Sequence, residues 1–182
     1  MTGVPEYTSR RIFKTAVTSQ NVVREVLQLM FVSEFLMRGE EVWLVSPWIS
    51  NIVLLDNRAG GFDAINPEWR RREIRLVDVA IQILSAGGRV TVVSRPDEHN
   101  KRFLFRLGEA VREAGVGDLL TLIERDHLHT KGILTEHGLL LGSMNITYNG
   151  LELNDEFVEY DTDRASLAGA RLAFETYRND AS

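Results

Sequence analysis

From Val22 to Glu124, segments whose apolar residues recur at helical spacing alternate with short β-branched runs, and that alternation constrains the fold more than any other feature. Val22, Val26, Leu29, Met30 and Leu36 step along a first helix that Thr18 or Ser19 can cap and Gly39 stops. Glu41 to Ser46, Arg89 to Ser94 and Leu119 to Glu124 read as strands. Asn66-Pro67-Glu68 supplies an N-cap, an N1 proline and a first-turn acid for a second helix carrying Ile74, Val77, Ile81 and Leu84 and ending at Gly87-Gly88. Trp48 to Ile65, with Asn57, Gly60 and Gly61, reads as a long loop, and Glu98 to Ala114 as a third helix closed by Gly115. Beyond His127 the pattern changes to two strands around a Glu136-His137-Gly138 turn, a strand near Glu156 to Asp161, and a helix from about Asp163 to Arg178. No internal repeat or linker interrupts the series. The expectation is one α/β domain over residues 1–182, a mixed β-sheet flanked by helices on both faces.

Composition narrows the chemistry. At 182 residues, 44% hydrophobic and 26% charged, the chain excludes disorder, collagen and coiled coil. It has no cysteine, which removes disulfides, thiolate catalysis and Cys-ligated zinc or iron–sulfur sites together. With a net charge of −5, any polyanion has to be held locally and not by bulk charge. Met1 to Lys14 lacks the apolar stretch of a secretory signal. Val22 to Met37 is broken by Arg24, Glu25 and Glu34 and falls short of the ~20 apolar residues that span a bilayer. A cytoplasmic protein without membrane contact is expected.

Asp126-His-Leu-His-Thr-Lys-Gly-Ile-Leu-Thr135 holds the reactive residues. It reads as a strand, in which residues 127, 129 and 131 project from one face, so that His129 and Lys131 sit side by side. The strand after the turn delivers Gly142-Ser-Met-Asn145 near that pair, and an acidic run follows from Glu152 to Asp163. Metal-free attack on a phosphodiester needs a nucleophile, donors for the nonbridging oxygens and an acid for the leaving group. A neutral imidazole, a lysine ammonium, an amide and a hydroxyl supply those types. One histidine cannot be both nucleophile and leaving-group acid in one step, whereas two copies facing each other across a twofold axis can.

His129-x-Lys131-x4-Glu136-x5-Gly142-Ser143-x-Asn145 resembles the HKD motif of the phospholipase D superfamily. The motif usually reads H-x-K-x4-D-x6-G-S-x-N, so Glu136 replaces the aspartate and one residue is missing before Gly-Ser. The resemblance implies a phospholipase D-like α/β/α fold, His129 as nucleophile forming a phosphohistidine, and Lys131, Ser143 and Asn145 on the phosphoryl oxygens. It makes Glu136 a supporting residue, and Glu156, 27 residues beyond His129, the carboxylate that hydrogen-bonds the ring. Short single-motif chains resemble the homodimeric bacterial nucleases. They are also similar to the PLD-like proteins of bacterial DNA-modification and defence clusters, the DpdK type among them. The partners implied are a second copy, nucleic acid with DNA favoured, and other proteins of a defence or modification system.

Blander readings stand beside these. A lone His-x-Lys is ordinarily a solvated face, and the conjunction with Gly-Ser-x-Asn and a spaced glutamate carries the stronger reading. His127 and His129 have zinc-like spacing, but Lys131 on the same face would repel a dication, so neither metal nor cofactor is expected. Arg70, Arg71, Arg72 and Arg75 cluster at the expected start of the second helix, and Lys101, Arg102 and Arg106 form a second group. Of these, Arg70, Arg71, Lys101 and Arg102 are the candidate nucleic-acid contacts. Trp48 and Trp69 could stack on bases or fill the core. His99 and His137 are expected in a loop and a turn. The leading function is a metal-independent phosphodiesterase acting on DNA. A catalytically silent subunit binding nucleic acid or protein is the alternative, and a single motif without a membrane-binding stretch disfavours phospholipid hydrolysis.

Overall fold

The computed structural model describes residues 8–15 and 20–179. Its elements are β1 (Ser9–Lys14), α1 (Gln20–Met37), β2 (Glu41–Val45), β3 (Val53–Asp56), β4 (Glu73–Arg75), α2 (Leu76–Ser85) and β5 (Arg89–Ser94). There follow α3 (Glu98–Ala114), β6 (Leu120–Glu124), β7 (Gly132–Leu134), β8 (Leu139–Gly142), β9 (Glu156–Asp161) and α4 (Arg164–Asn179). Seven strands form one sheet in the order β1-β9-β8-β7-β2-β5-β6, and β3 pairs with β4 in a separate two-stranded sheet. The β2, β5 and β6 strands run parallel, and the other pairings of the large sheet are antiparallel.

Side-chain alternation along the strands divides the core between the two faces. Val42, Leu44, Val90, Val92, Ile133 and Val158 face α1, α2 and α3, while Trp43, Val45, Val93, Leu134 and Leu139 face α4. Burying each such side chain contributes roughly 1.5–3 kcal/mol before ordering costs. The sheet is therefore mixed and covered by helices on both faces, as expected. Under α4 the buried carboxylate of Glu41 meets Thr91 Oγ1 at 2.7 Å and the Arg178 guanidinium, which lies 4.4 Å from the Trp43 ring centroid. A buried charge is tolerable because it is paired and hydrogen-bonded.

Several elements differ from expectation for local reasons. The Asn66 side chain does cap Glu68 N–H at 2.9 Å, but it starts only a 3₁₀ turn, Pro67–Trp69, because Arg70 leaves the helical region at φ 52°. The Arg70 to Arg75 segment then becomes loop and β4, and α2 begins at Leu76. The long loop contains β3, whose partner is that unforeseen β4. At the end of α1, where Gly39 was expected to stop the helix, Arg38 takes the left-handed conformation, φ 45°. Gly39 is needed for space, since a Cβ there would collide with the Glu34 carboxylate and with Glu136 Cβ. The capping residues Thr18 and Ser19 lie outside the described residues. The β1 strand was not anticipated, because Arg10, Arg11 and Lys14 disguise it: Ile12 and Lys14 are the two buried positions. Lys14 Nζ donates to the carbonyls of Gly150 at 3.2 Å and Asn154 at 2.6 Å, at either end of a π-helical turn, Asn149–Leu153.

Candidate active site

Ligand sites in α/β sheets form beyond the carboxyl ends of the parallel strands. Here β2 and β5 end side by side, and the chains leaving them are clipped together by Asn100 of α3, which is 0% exposed. Its Nδ2 donates to Pro47 O at 2.9 Å and Arg95 O at 2.8 Å, and its Oδ1 accepts Ile49 N–H at 2.8 Å. Beyond this clip an open cleft of about 620 Å³ is lined by Trp48, His129, Lys131, Gly142, Ser143 and Asn145. Asn100 has a weak signature in sequence, a polar residue on the helix stripe that carries Phe103 and Leu107.

His129 and Lys131 do not lie in a strand. Residues 125–131 form a loop with a turn at Asp126-His127, and β7 starts only at Gly132. The loop is nonetheless pinned along its length. Leu128 is buried in the α4-side core, and its carbonyl accepts Arg95 Nε–H at 2.7 Å. Thr130 Oγ1 bonds Tyr177 OH at 3.0 Å, and Arg125 N–H donates to Ser94 O at 2.9 Å. The loop presents the His129 ring to solvent with no hydrogen-bond partner among the described residues. Lys131 Nζ donates to His129 O at 2.6 Å. Partial burial, then the nearby Arg95 guanidinium, lower the Lys131 pKa from its ordinary value, and Glu156 opposes that shift. Arg95 is the second functional residue that sequence reasoning missed: it holds the histidine loop and stands 5.7 Å from the Trp48 ring centroid.

Gly142 has a steric reason. A Cβ there would strike the carbonyl of Phe157 and come within 2.8 Å of Val158 Cα, backbone that cannot yield. Ser143 locks the start of β9: its N–H donates to Phe157 O at 2.9 Å, and its Oγ accepts Phe157 N–H at 3.0 Å. The same hydroxyl donates to Glu156, whose other carboxylate oxygen accepts Asn154 Nδ2–H at 3.2 Å. Glu156 is therefore held by Ser143 and Asn154, and does not bond the His129 ring as the motif led us to expect. Asn145 Oδ1 lies 3.2 Å from Ser46 Oγ, leaving its Nδ2 donors for the cleft.

The remaining candidates scatter. Glu136 sits at the β7–β8 turn, at the far end of β7 from Lys131, and pairs with Arg171 of α4 at 2.9 Å. Its backbone N–H is accepted by Glu34 at 3.3 Å. Burial raises the Glu34 pKa, and its hydrogen bonds from Gly39 and Glu136 pull the other way. Arg70 and Arg71 lie in the exposed loop between β3 and β4, not on a helix, and do not line the cleft. Lys101 pairs with Glu98 at 2.5 Å, while Arg102 lies beside a second groove. His99 is in the first turn of α3, not in a loop, and bonds Ser50 Oγ at 2.9 Å. His127 opens onto a neighbouring hollow with Glu124 and Tyr177. No group of three or more His, Cys, Asp or Glu that could hold a metal occurs among the described residues. Trp69 is in the core, edge-on to Phe35 at 5.6 Å, and Trp48, 37% exposed, is on the cleft with its Nε1 donating to Asp97 at 3.2 Å. No helix among the described residues is long and apolar enough to cross a membrane.

No protein-family model and no curated protein matches the sequence. Solved structures do match. NucT from Helicobacter pylori superposes with a TM-score of 0.58 at 12% identity over 94% of this chain and 96% of NucT. Nuc from Salmonella typhimurium, a phospholipase D family member, gives 0.60 at 13% identity over 96% and 95%. TrmBL2, an archaeal chromatin protein that binds DNA, gives 0.56 at 15% identity, and this chain spans only 55% of its length. At such identities the likeness establishes architecture, and the architecture of this chain is that of the phospholipase D family member Nuc.

Proposed function

We propose that this chain is a metal-independent phosphodiesterase, an endonuclease acting on DNA, built as one PLD-like domain over residues 1–182. The observation that carries the reading is the exposed, unpartnered His129 ring in one cleft with Lys131 and Asn145. The imidazole attacks phosphorus, the leaving oxygen departs with a proton, and water then cleaves the phosphohistidine. Lys131 and the Asn145 amide stabilise the charge that develops on the nonbridging oxygens. Ser143 joins them once its hydroxyl leaves Glu156, whose freed carboxylate oxygen then orients a ring while the other stays on Asn154. The leaving-group acid is the His129 of a second copy, since the cleft contains one histidine per chain. Such a homodimer would act in the cytoplasm, with proteins of a bacterial restriction or defence system as its further partners.

A second reading has its own support. Glu156 and Ser143 are tied to each other in the present arrangement, and the DNA-binding TrmBL2 covers the whole of this chain. A silent subunit would bind DNA without cutting it. Incubation with labelled single- and double-stranded DNA in EDTA separates the two: cleavage by wild type and none by His129→Ala supports the nuclease. Binding without turnover, under chelation or with Mg²⁺ or Zn²⁺ added, establishes the silent subunit, and cleavage that requires added metal overturns the metal-independent mechanism.

A further inference from the structure

On the far side of the segment that carries Trp48 lies a second groove, of about 360 Å³. Its helical wall is a stripe of α3 in which His99, Arg102 and Arg106 stand at i, i+3 and i+7. Its other wall is Ser50 and Arg75, at the end of β4. Two arginine groups that looked unrelated in sequence thus meet across one hollow. Arg75 is steadied by Asn51 O at 3.1 Å and sits 3.5 Å from Glu73. Arg102 and Arg106 have no carboxylate partner among the described residues. Elsewhere on the same helix, Lys101 and Arg112 are each matched by a glutamate three residues earlier. In a chain of net charge −5, this is a local concentration of unmatched positive charge. Like charges held side by side favour an anion between them. Arginine forks suit a phosphate diester, and beside them His99 Nε2 and Ser50 Oγ are bonded to each other at 2.9 Å.

The position of the groove identifies the anion. Trp48 lines the cleft and Ser50 lines the groove, two residues on and at most about 7 Å of backbone away, so a strand leaving the cleft on that side passes the groove. We propose that the groove holds a backbone phosphate of a nucleic-acid strand whose neighbouring phosphodiester lies in the cleft, with Arg102 and Arg106 as the principal contacts. The inference rests on reading the cleft as a phosphodiester site, and binding tests it apart from cleavage.

In a His129→Ala background, the affinity for a fluorescent single strand of about 20 nucleotides is measured by anisotropy across a salt series. Removing both contacts to that phosphate with Arg102→Gln/Arg106→Gln should weaken binding about tenfold at low salt and flatten the slope of log K against log salt by about 0.7. Lys101→Gln, already neutralised by Glu98, should change affinity less than twofold. An unchanged slope in the double variant, an equal loss from Lys101→Gln, or no binding by the parent would overturn the proposal. So would full displacement of the strand by millimolar inorganic phosphate at matched ionic strength, which would mark a free-phosphate site. Intact binding without cleavage by the protein carrying His129 would instead count against the nuclease reading alone.

Discussion

Lys131 is where the electrostatics of the cleft become measurable. Its amine loses a proton at lower pH than an exposed lysine, because burial and then Arg95 disfavour the charged form. If its charge holds the phosphoryl oxygens, kcat/KM should fall as pH rises through a value below the usual lysine range, while the acid limb is governed by other groups. A guanidinium does not deprotonate in that range, so Lys131→Arg should lower the rate but remove the alkaline fall, and a pH–rate profile of both proteins checks this. Gly142 gives a steric counterpart. A methyl group there meets backbone of β9 and not a side chain that can turn away, so Gly142→Ala should cost about 3 kcal/mol or more, read by denaturant unfolding. Both residues were legible in sequence as members of a spaced motif. Arg95 was not, since its importance comes from a carbonyl 33 positions away, a partner that no local pattern reveals.

Elements were legible where a full run of side chains agreed. The α3 helix has an Asp97 cap, buried Phe103, Leu107 and Val111, and a left-handed Gly115 at φ 69°, and its bounds were read correctly. Short strands escaped notice: β3 and β4 have four and three residues, too few for a period to declare itself. Ile74 fitted the helical spacing of α2 yet is buried in β4. The loop that carries His129 and Lys131 reads as a strand because the two residues alternate, although what fixes them is Leu128, Arg95 and Tyr177. At this scale Asn100 is the residue to test. Asn100→Ala leaves the Ile49 N–H without its partner in a dry site, at ~1–3 kcal/mol, and removes a second hydrogen bond, roughly 0.5–1.5 kcal/mol each, from the carbonyls of Pro47 and Arg95, which keep the N–H groups of Arg95 and Asp97. With partial relaxation we expect a loss of about 3 kcal/mol, a Tm lower by roughly 6–12 °C, and turnover reduced further than unfolding explains.

For the whole molecule, the single cleft histidine makes assembly the decisive question. Mixed dimers of wild type and His129→Ala retain one ring and should be inactive if two rings are required. Purified heterodimers that turn over at half the wild-type rate would show that each chain holds a complete site. The order of the strands has a further consequence, for synthesis. Ile12 of β1 pairs with Val158 of β9, so the earliest described strand must wait for the latest one. Ser143 and Glu156 likewise meet only across the β8–β9 pairing. Contacts of such long sequence separation form slowly and late. As the chain leaves the ribosome, its parallel half can fold while β1 remains without a neighbour, and the cleft comes into being only after β9 has been made.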